Sequence, residues 1–196
     1  MKFVLKFVKI SDYMLNSIVL DLETKNTFFD VGKDNFDALD VSLIGVYSYN
    51  KDEYIAYEEH QIENFIESLK DVSLIIGFSI NRFDIPVLKK HSKEINLFSI
   101  PRLDLLDEIE FKTGKRVSLN HLAKINLGIE KTHHGLEAPN LYRDGNIEEL
   151  KNYCLNDVKI TKELYELARY QGHLLMPKKG SDELEKVELL LNRLPI

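Results

Sequence analysis

Ile18-Val19-Leu20-Asp21-Leu22-Glu23-Thr24 is the stretch on which the reading of the fold turns. As a strand, its two-residue period puts Asp21 and Glu23 on one face and Ile18, Leu20 and Leu22 on the other. Apolar residues on both sides suit a central strand covered on two faces. Carboxylates are uncommon in strands and neighbouring like charges repel, so a positive group is expected to compensate them. The alternative is that the strand ends here and both acids face water.

Outward from this strand, residues 2–10 read as an earlier strand, and 41–49 and 54–57 as two later ones joined by a turn at 50–53. A helical pattern at 61–70 leads to a short apolar strand at 74–78, a loop, and a helix starting near Asp84. Further helices are expected at 103–112 and 118–127, the second capped by Ser118. The segment 128–145, with Gly128, Gly135, Pro139 and Gly145, is loop-like. A long helix at 146–171 follows, with Asn146 and Glu149 at capping-box spacing, and it ends at Gly172. In the tail, Leu184, Val187, Leu190, Leu191 and Leu194 repeat at helical spacing over 181–194, a face that docks on its own domain or on a protein partner. Strands alternating with helices make the class α/β.

The long helix makes the sharper case for chemistry. Steps of about 100 degrees per residue collect Ile147, Leu150, Tyr153, Cys154, Val158, Ile160, Leu164, Tyr165 and Ala168 on one face, with Asp157 near its middle. Its helical neighbours are Tyr153, Cys154, Ile160 and Thr161, none of them basic. A carboxylate aimed inward costs several kcal/mol or gives up its charge unless a cation or hydrogen bonds meet it, so a cation or a partner from elsewhere in the chain is expected. Asp84 follows a strand and a loop and stands two residues before Pro86, where it would either cap a helix or join a crevice at a strand end.

Four acids gathered at about 4 Å would repel by about 4 kcal/mol per pair at an effective dielectric near 20. Oxygen ligation by Asp21, Glu23, Asp84 and Asp157 selects two Mg2+ or Mn2+ ions over zinc, and such a pair hydrolyses phosphodiesters. Tyr153, one turn from Asp157, is either a core tyrosine or a residue that orients or deprotonates the attacking water.

Three segments, in this order, resemble the exonuclease motifs of the DEDD superfamily: residues 18–24, GFSINRFDIPVL at 77–88, and Tyr153-Cys154-Leu155-Asn156-Asp157-Val158. The tyrosine four residues before the last Asp resembles the Tyr-containing branch; the other branch carries a histidine five before it, where this chain has Asn152. The pattern is similar to the proofreading domains of family-B DNA polymerases and to YprB-type ribonuclease-H-like domains, over about 18–170. The resemblance implies a ribonuclease-H-like mixed central sheet flanked by helices. It further implies that Asp21, Glu23 and Asp157 ligate a first ion, that Asp21 bridges, and that Asp84 holds a second through waters. Leu22 and Thr24 by main chain, and Phe83 by its ring, would lie near the terminal nucleotide. Where family-B motifs often place Asn five residues before the Asp, this chain has Ser79, with Asn81 two places on, so Ser79 and Asn81 are both candidate strand contacts. The tail is also permitted to form strands.

The bulk properties bound the rest. The 196 residues suit one domain over 1–196, with the motif-bearing core at about 18–170 and an extension at 173–196. The apolar runs 74–80 and 189–191 are too short to span a bilayer and no secretory signal is visible, so a soluble, cytoplasmic protein is expected. The single cysteine, Cys154, excludes an internal disulfide or a Cys-rich zinc site. A net charge of -6 runs against a basic nucleic-acid surface, but two dications would add four positive charges where a phosphate sits. Lys89-Lys90, Lys115-Arg116 and Lys178-Lys179 are local basic pairs, and the loop residues His133 and His134 are not expected to bind metal. The residues left over are too few for a polymerase palm or fingers, which points to a free-standing nuclease or one subunit of a larger machine. The expected activity is 3'-to-5' exonucleolytic hydrolysis of single-stranded DNA or RNA to nucleoside monophosphates. The alternatives are a structure-selective endonuclease with the same site and a catalytically silent binding module.

Overall fold

The computed structural model describes residues 16–129, 138–178, 183–189 and 191. The strand expected at 2–10, His133 and His134 lie outside them. A five-stranded sheet is built from β1 (Ser17–Thr24), β2 (Val41–Ser48), β3 (Glu53–Glu58), β4 (Leu74–Gly77) and β5 (Arg102–Asp104), in the order β3-β2-β1-β4-β5. The β1, β2 and β3 strands form an antiparallel meander, whereas β1, β4 and β5 pair in parallel. The sheet is therefore mixed, with the acid-bearing strand at its centre.

Helices cover the sheet: α1 (Phe28–Val31), α2 (Ile62–Ser68), α3 (Asp84–Leu88), α4 (Leu105–Thr113), α5 (Leu119–Leu127), α6 (Ala138–Arg143) and α7 (Ile147–Gln171). A hairpin of β6 (His173–Pro177) and β7 (Leu184–Glu188) follows. Alternation along β1 divides the core as the sequence requires. Ile18, Leu20 and Leu22 pack with Phe65, Ile85 and Leu88 on one side, while Val19 joins Val158, Leu164 and Tyr165 of α7 on the other.

At Gly45 of β2 the helix α7 comes close against the sheet. A Cβ there would stand 2.7 Å from the Cys154 Sγ and 3.1 Å from the Val158 Cγ2. Gly45 is the register partner of Asp21, so the missing side chain lets the helix descend at the level of the first acid.

Four expectations need correction. The tail at 184–188 is a strand, because Val187, Leu189 and Leu191 are buried at two-residue spacing while Leu184 is half exposed. The supposed loop 128–145 contains α6, whose Pro139 occupies the first turn, where a missing N–H removes no helical bond. Residues 102–104 form β5 before the fourth helix begins. Asn146 does precede α7 but makes no side-chain cap. Its N–H is drawn to the Leu141 carbonyl at the end of α6 (2.9 Å), and its backbone departs from the extended shape of a capping box. Ser118 does cap α5, accepting from the His121 N–H, and α7 ends at Gly172 in the left-handed conformation.

Candidate active site

Asp21 and Glu23 project from β1 toward α7, both half-buried. Their carboxylates and the Cys154 sulfur lie within 4.8 Å of one another. The thiol sits 3.6 Å from the Asp21 carbonyl oxygen and 3.6 Å from its Oδ2. One turn along α7, Asp157 is buried at 7% exposure and Tyr153 at 8%. Burial pushes the Tyr153 hydroxyl far above its ordinary range, and the charges of Glu23, Asp157 and Asp21, in that order, add to it. Burial also raises the Cys154 thiol, with Asp21, Glu23 and Asp157 reinforcing it. Both side chains thus register the same three acids: strand and helix bring Asp21, Glu23 and Asp157 into one neighbourhood.

Asp84 arrives from the other side of β1. It is the first residue of α3, not its cap; Phe83 holds that place without a side-chain bond. Only 4% exposed, Asp84 has its carboxyl pushed up to about 7 by burial. Its own N–H and that of Leu22 favour the charged form, and the Asp104 carboxylate opposes it. The Asp84 Oδ1 is buried without a hydrogen-bond partner among the described residues. Neither Asp84 nor Asp157 joins the 4.8 Å group of Asp21, Glu23 and Cys154.

Leu22 meets Asp84 through its main chain and buries its side chain in the core that α3 shares, away from α7. The Thr24 hydroxyl donates to the Asn26 carbonyl (2.7 Å) beside an irregularity in the β1–β2 register. Ser79 sits at φ 67° and its N–H donates to Asp104. The Asn81 amide is engaged within the protein, donating to Asp107 and accepting from Arg102. Phe83 is half-buried and packs edge-on against Phe28, with ring centroids 6.0 Å apart. A cleft of about 760 Å³ beyond the end of β1 is lined by Lys25, Asp40, Ser42, Glu59, His91 and Tyr142 among others, and by none of the four acids. The four candidate acids lie outside that cleft.

Two residues escaped the sequence reading. Cys154 was placed on the inward face as a helical neighbour of Asp157, but not against Asp21 and Glu23 of β1. Asp104 fell inside the helix expected at 103–112, whereas it ends β5 and caps α4.

Two adjacent carboxylates, and a buried Asp84 oxygen with no hydrogen-bond partner among the described residues, are the oxygen donors that fit a hard divalent cation; the Cys154 thiol beside them is soft and held neutral. Residues 20–169 match the family model of the RNase_H superfamily. The chain belongs to the RNase H superfamily. That membership supports nucleic-acid hydrolysis as a general class of function. The family B DNA polymerase of the hyperthermophilic archaeon Pyrobaculum calidifontis is similar to this RNase H-superfamily chain, with a TM-score of 0.61 and 21% identity over 78% of the chain. The match covers 24% of the polymerase, so the chain spans about a quarter of its length, and the likeness is one of fold. No curated protein matches the chain at a significant level. No helix among the described residues is long and apolar enough to cross a membrane.

Proposed function

We propose that this RNase H-superfamily chain is a metal-dependent 3'-to-5' exonuclease that removes nucleoside monophosphates from single-stranded DNA or RNA. The observation that carries the reading is the meeting of Asp21 and Glu23 on β1 with Tyr153 and Asp157 on α7, across the close approach at Gly45. In this reading Asp21, Glu23 and Asp157 hold one Mg2+ or Mn2+ ion, and Asp84 helps to hold a second. Such ions supply Lewis-acid activation of the phosphodiester and a lowered pKa for bound water.

The protein's own part is positional. Tyr153, one turn from Asp157 and beside Glu23 and Asp21, would orient or deprotonate the attacking water. Leu22 and Thr24 would border the terminal nucleotide through their main chains, Phe83 through its ring, and Ser79 through the loop. Asn81 supports that loop.

The test uses 3'-labelled linear and circularised single strands of DNA and RNA, with Mn2+ and with chelator. Release of mononucleotides from the linear strand alone, only with Mn2+, is the expected result. Cleavage of the circle would replace the exonuclease by an endonuclease, and Mn2+-independent cleavage would remove the metal from the account.

A further inference from the structure

We propose that Asp104 is a positioning residue whose carboxylate clamps the 79–83 loop into the shape that presents Asp84 to β1. The clamp is read from hydrogen bonds alone; its consequence for metal and substrate rests on the nuclease reading above.

Asp104 ends β5, caps α4 and is 3% exposed. Its Oδ1 accepts from the N–H groups of Leu106 (3.0 Å) and Asp107 (3.4 Å), which is the cap. A serine, threonine or asparagine would do as much. Asp104 does more. The Oδ1 also accepts from the Ser79 N–H at 2.7 Å, and the Oδ2 from the Asn81 N–H at 3.0 Å. The Oδ1 joins the helix start to Ser79 and the Oδ2 adds Asn81, so the loop is held at two points, by charge-assisted bonds that are the stronger kind.

The loop needs holding. Ser79 stands at φ 67°, a conformation that non-glycine residues adopt only where the surroundings over-determine it, and the shortest of the four bonds falls on its N–H. Just before it, Gly77 lets the chain fold back tightly, since a Cβ there would stand 2.1 Å from the Ile80 Cγ2. Side chains brace the same loop: the Arg102 Nε donates to the Asn81 Oδ1 (2.8 Å), and Arg82 pairs with Asp107 (3.2 Å) and Glu110 (2.6 Å). The loop's geometry passes directly to the acid, because the Ile85 N–H donates to the carbonyl of the fully buried Ile80 (3.0 Å). Asp104 has both oxygens committed to main-chain donors, whereas the Asp84 Oδ1 has no partner among the described residues. One acid holds; the other is held.

Two variants test the clamp. Asp104→Ser leaves a single acceptor, which the α4 cap and the Ser79 N–H must share, and removes the one that the Asn81 N–H uses. Asp104→Asn keeps the shape but offers only one acceptor oxygen. In both, amide exchange at Asn81 should quicken by about tenfold or more, with Ser79 and Asp84 quickening as the loop loosens, while Val19 and Leu20 in β1 keep wild-type protection. In a Mn2+ titration the weaker of two binding events should lose about 10- to 100-fold in affinity, with the stronger within about twofold. On a single-stranded substrate kcat should fall and KM hold. Unchanged exchange at 79–84 in both variants would overturn the proposal and leave Asp104 a helix cap. If Asp104→Ser fails to fold, Asp104→Asn decides. A wild type that neither binds Mn2+ nor cleaves defeats the nuclease reading, and the exchange result still judges the clamp.

Discussion

Burial makes Asp84 a carboxyl that the folded chain prefers to keep protonated. Its folded value of about 7 stands above the ordinary 3.8, so between those values the folded state binds more protons than the unfolded one. Stability contributed by the neutral form is complete below about pH 4 and is lost as pH rises through 7. The penalty at high pH is on the order of 4 kcal/mol. Asparagine imitates the protonated acid. In chelator, Asp84→Asn should therefore melt higher than wild type at pH 8, by up to roughly 10 °C, with the gap closing near pH 4. Thermal melts at the two pH values check this; a variant less stable at pH 8, or equally advantaged at pH 4, contradicts it. At this scale the sequence was partly legible. The inward aim of Asp157 followed from helical periodicity, and the shared face of Asp21 and Glu23 from strand alternation. The work of Asp104 did not, because two of its bonds run to main-chain groups 25 and 23 positions away. No local spacing encodes such a bond.

At the scale of elements, the site depends on how far α7 sinks toward the sheet. Gly45→Ala would introduce a Cβ 2.7 Å from the Cys154 sulfur, pushing the helix away from Asp21. The expected cost is about 1–3 kcal/mol, with a larger loss of activity, since displaced acids no longer meet. Adding Cys154→Ala removes the obstructing sulfur and should restore most of both. Chemical denaturation and nuclease assays on the single and double variants check this, and a double variant no better than Gly45→Ala would contradict it. The strands β1 and β2 and the helix α7 were readable because sustained patterns mark them, and β4 because it is an unbroken apolar run. The three-residue β5 and the six-residue α6 carry too few residues to show a period. The tail misled because Leu184 and Val187 mimic a helical step, although the buried set Val187, Leu189 and Leu191 alternates. Where one residue of a short apolar series faces solvent, spacing alone does not choose between strand and helix.

Across the whole molecule, the mixed sheet is a device for bringing distant segments to one strand. β1 carries two acids, α3 delivers a third from the end of β4, and α7 lowers a fourth from the other face. Order along the chain and the α/β class were legible, as was the family resemblance that the RNase_H superfamily match supports. Distances between the acids were not, for they depend on Gly45, on the register of β1 with β2, and on the shape of the 79–83 loop. A chain of net charge -6 has little general attraction for phosphate, so substrate binding through this site should require its cations. Calorimetric titration of the metal-free protein with Mn2+ tests that claim most directly. Two ions bound per chain, with binding lost or sharply weakened by Asp21→Ala, is the predicted result; a wild type that takes up no Mn2+, or an Asp21→Ala variant that binds it unchanged, would contradict the account.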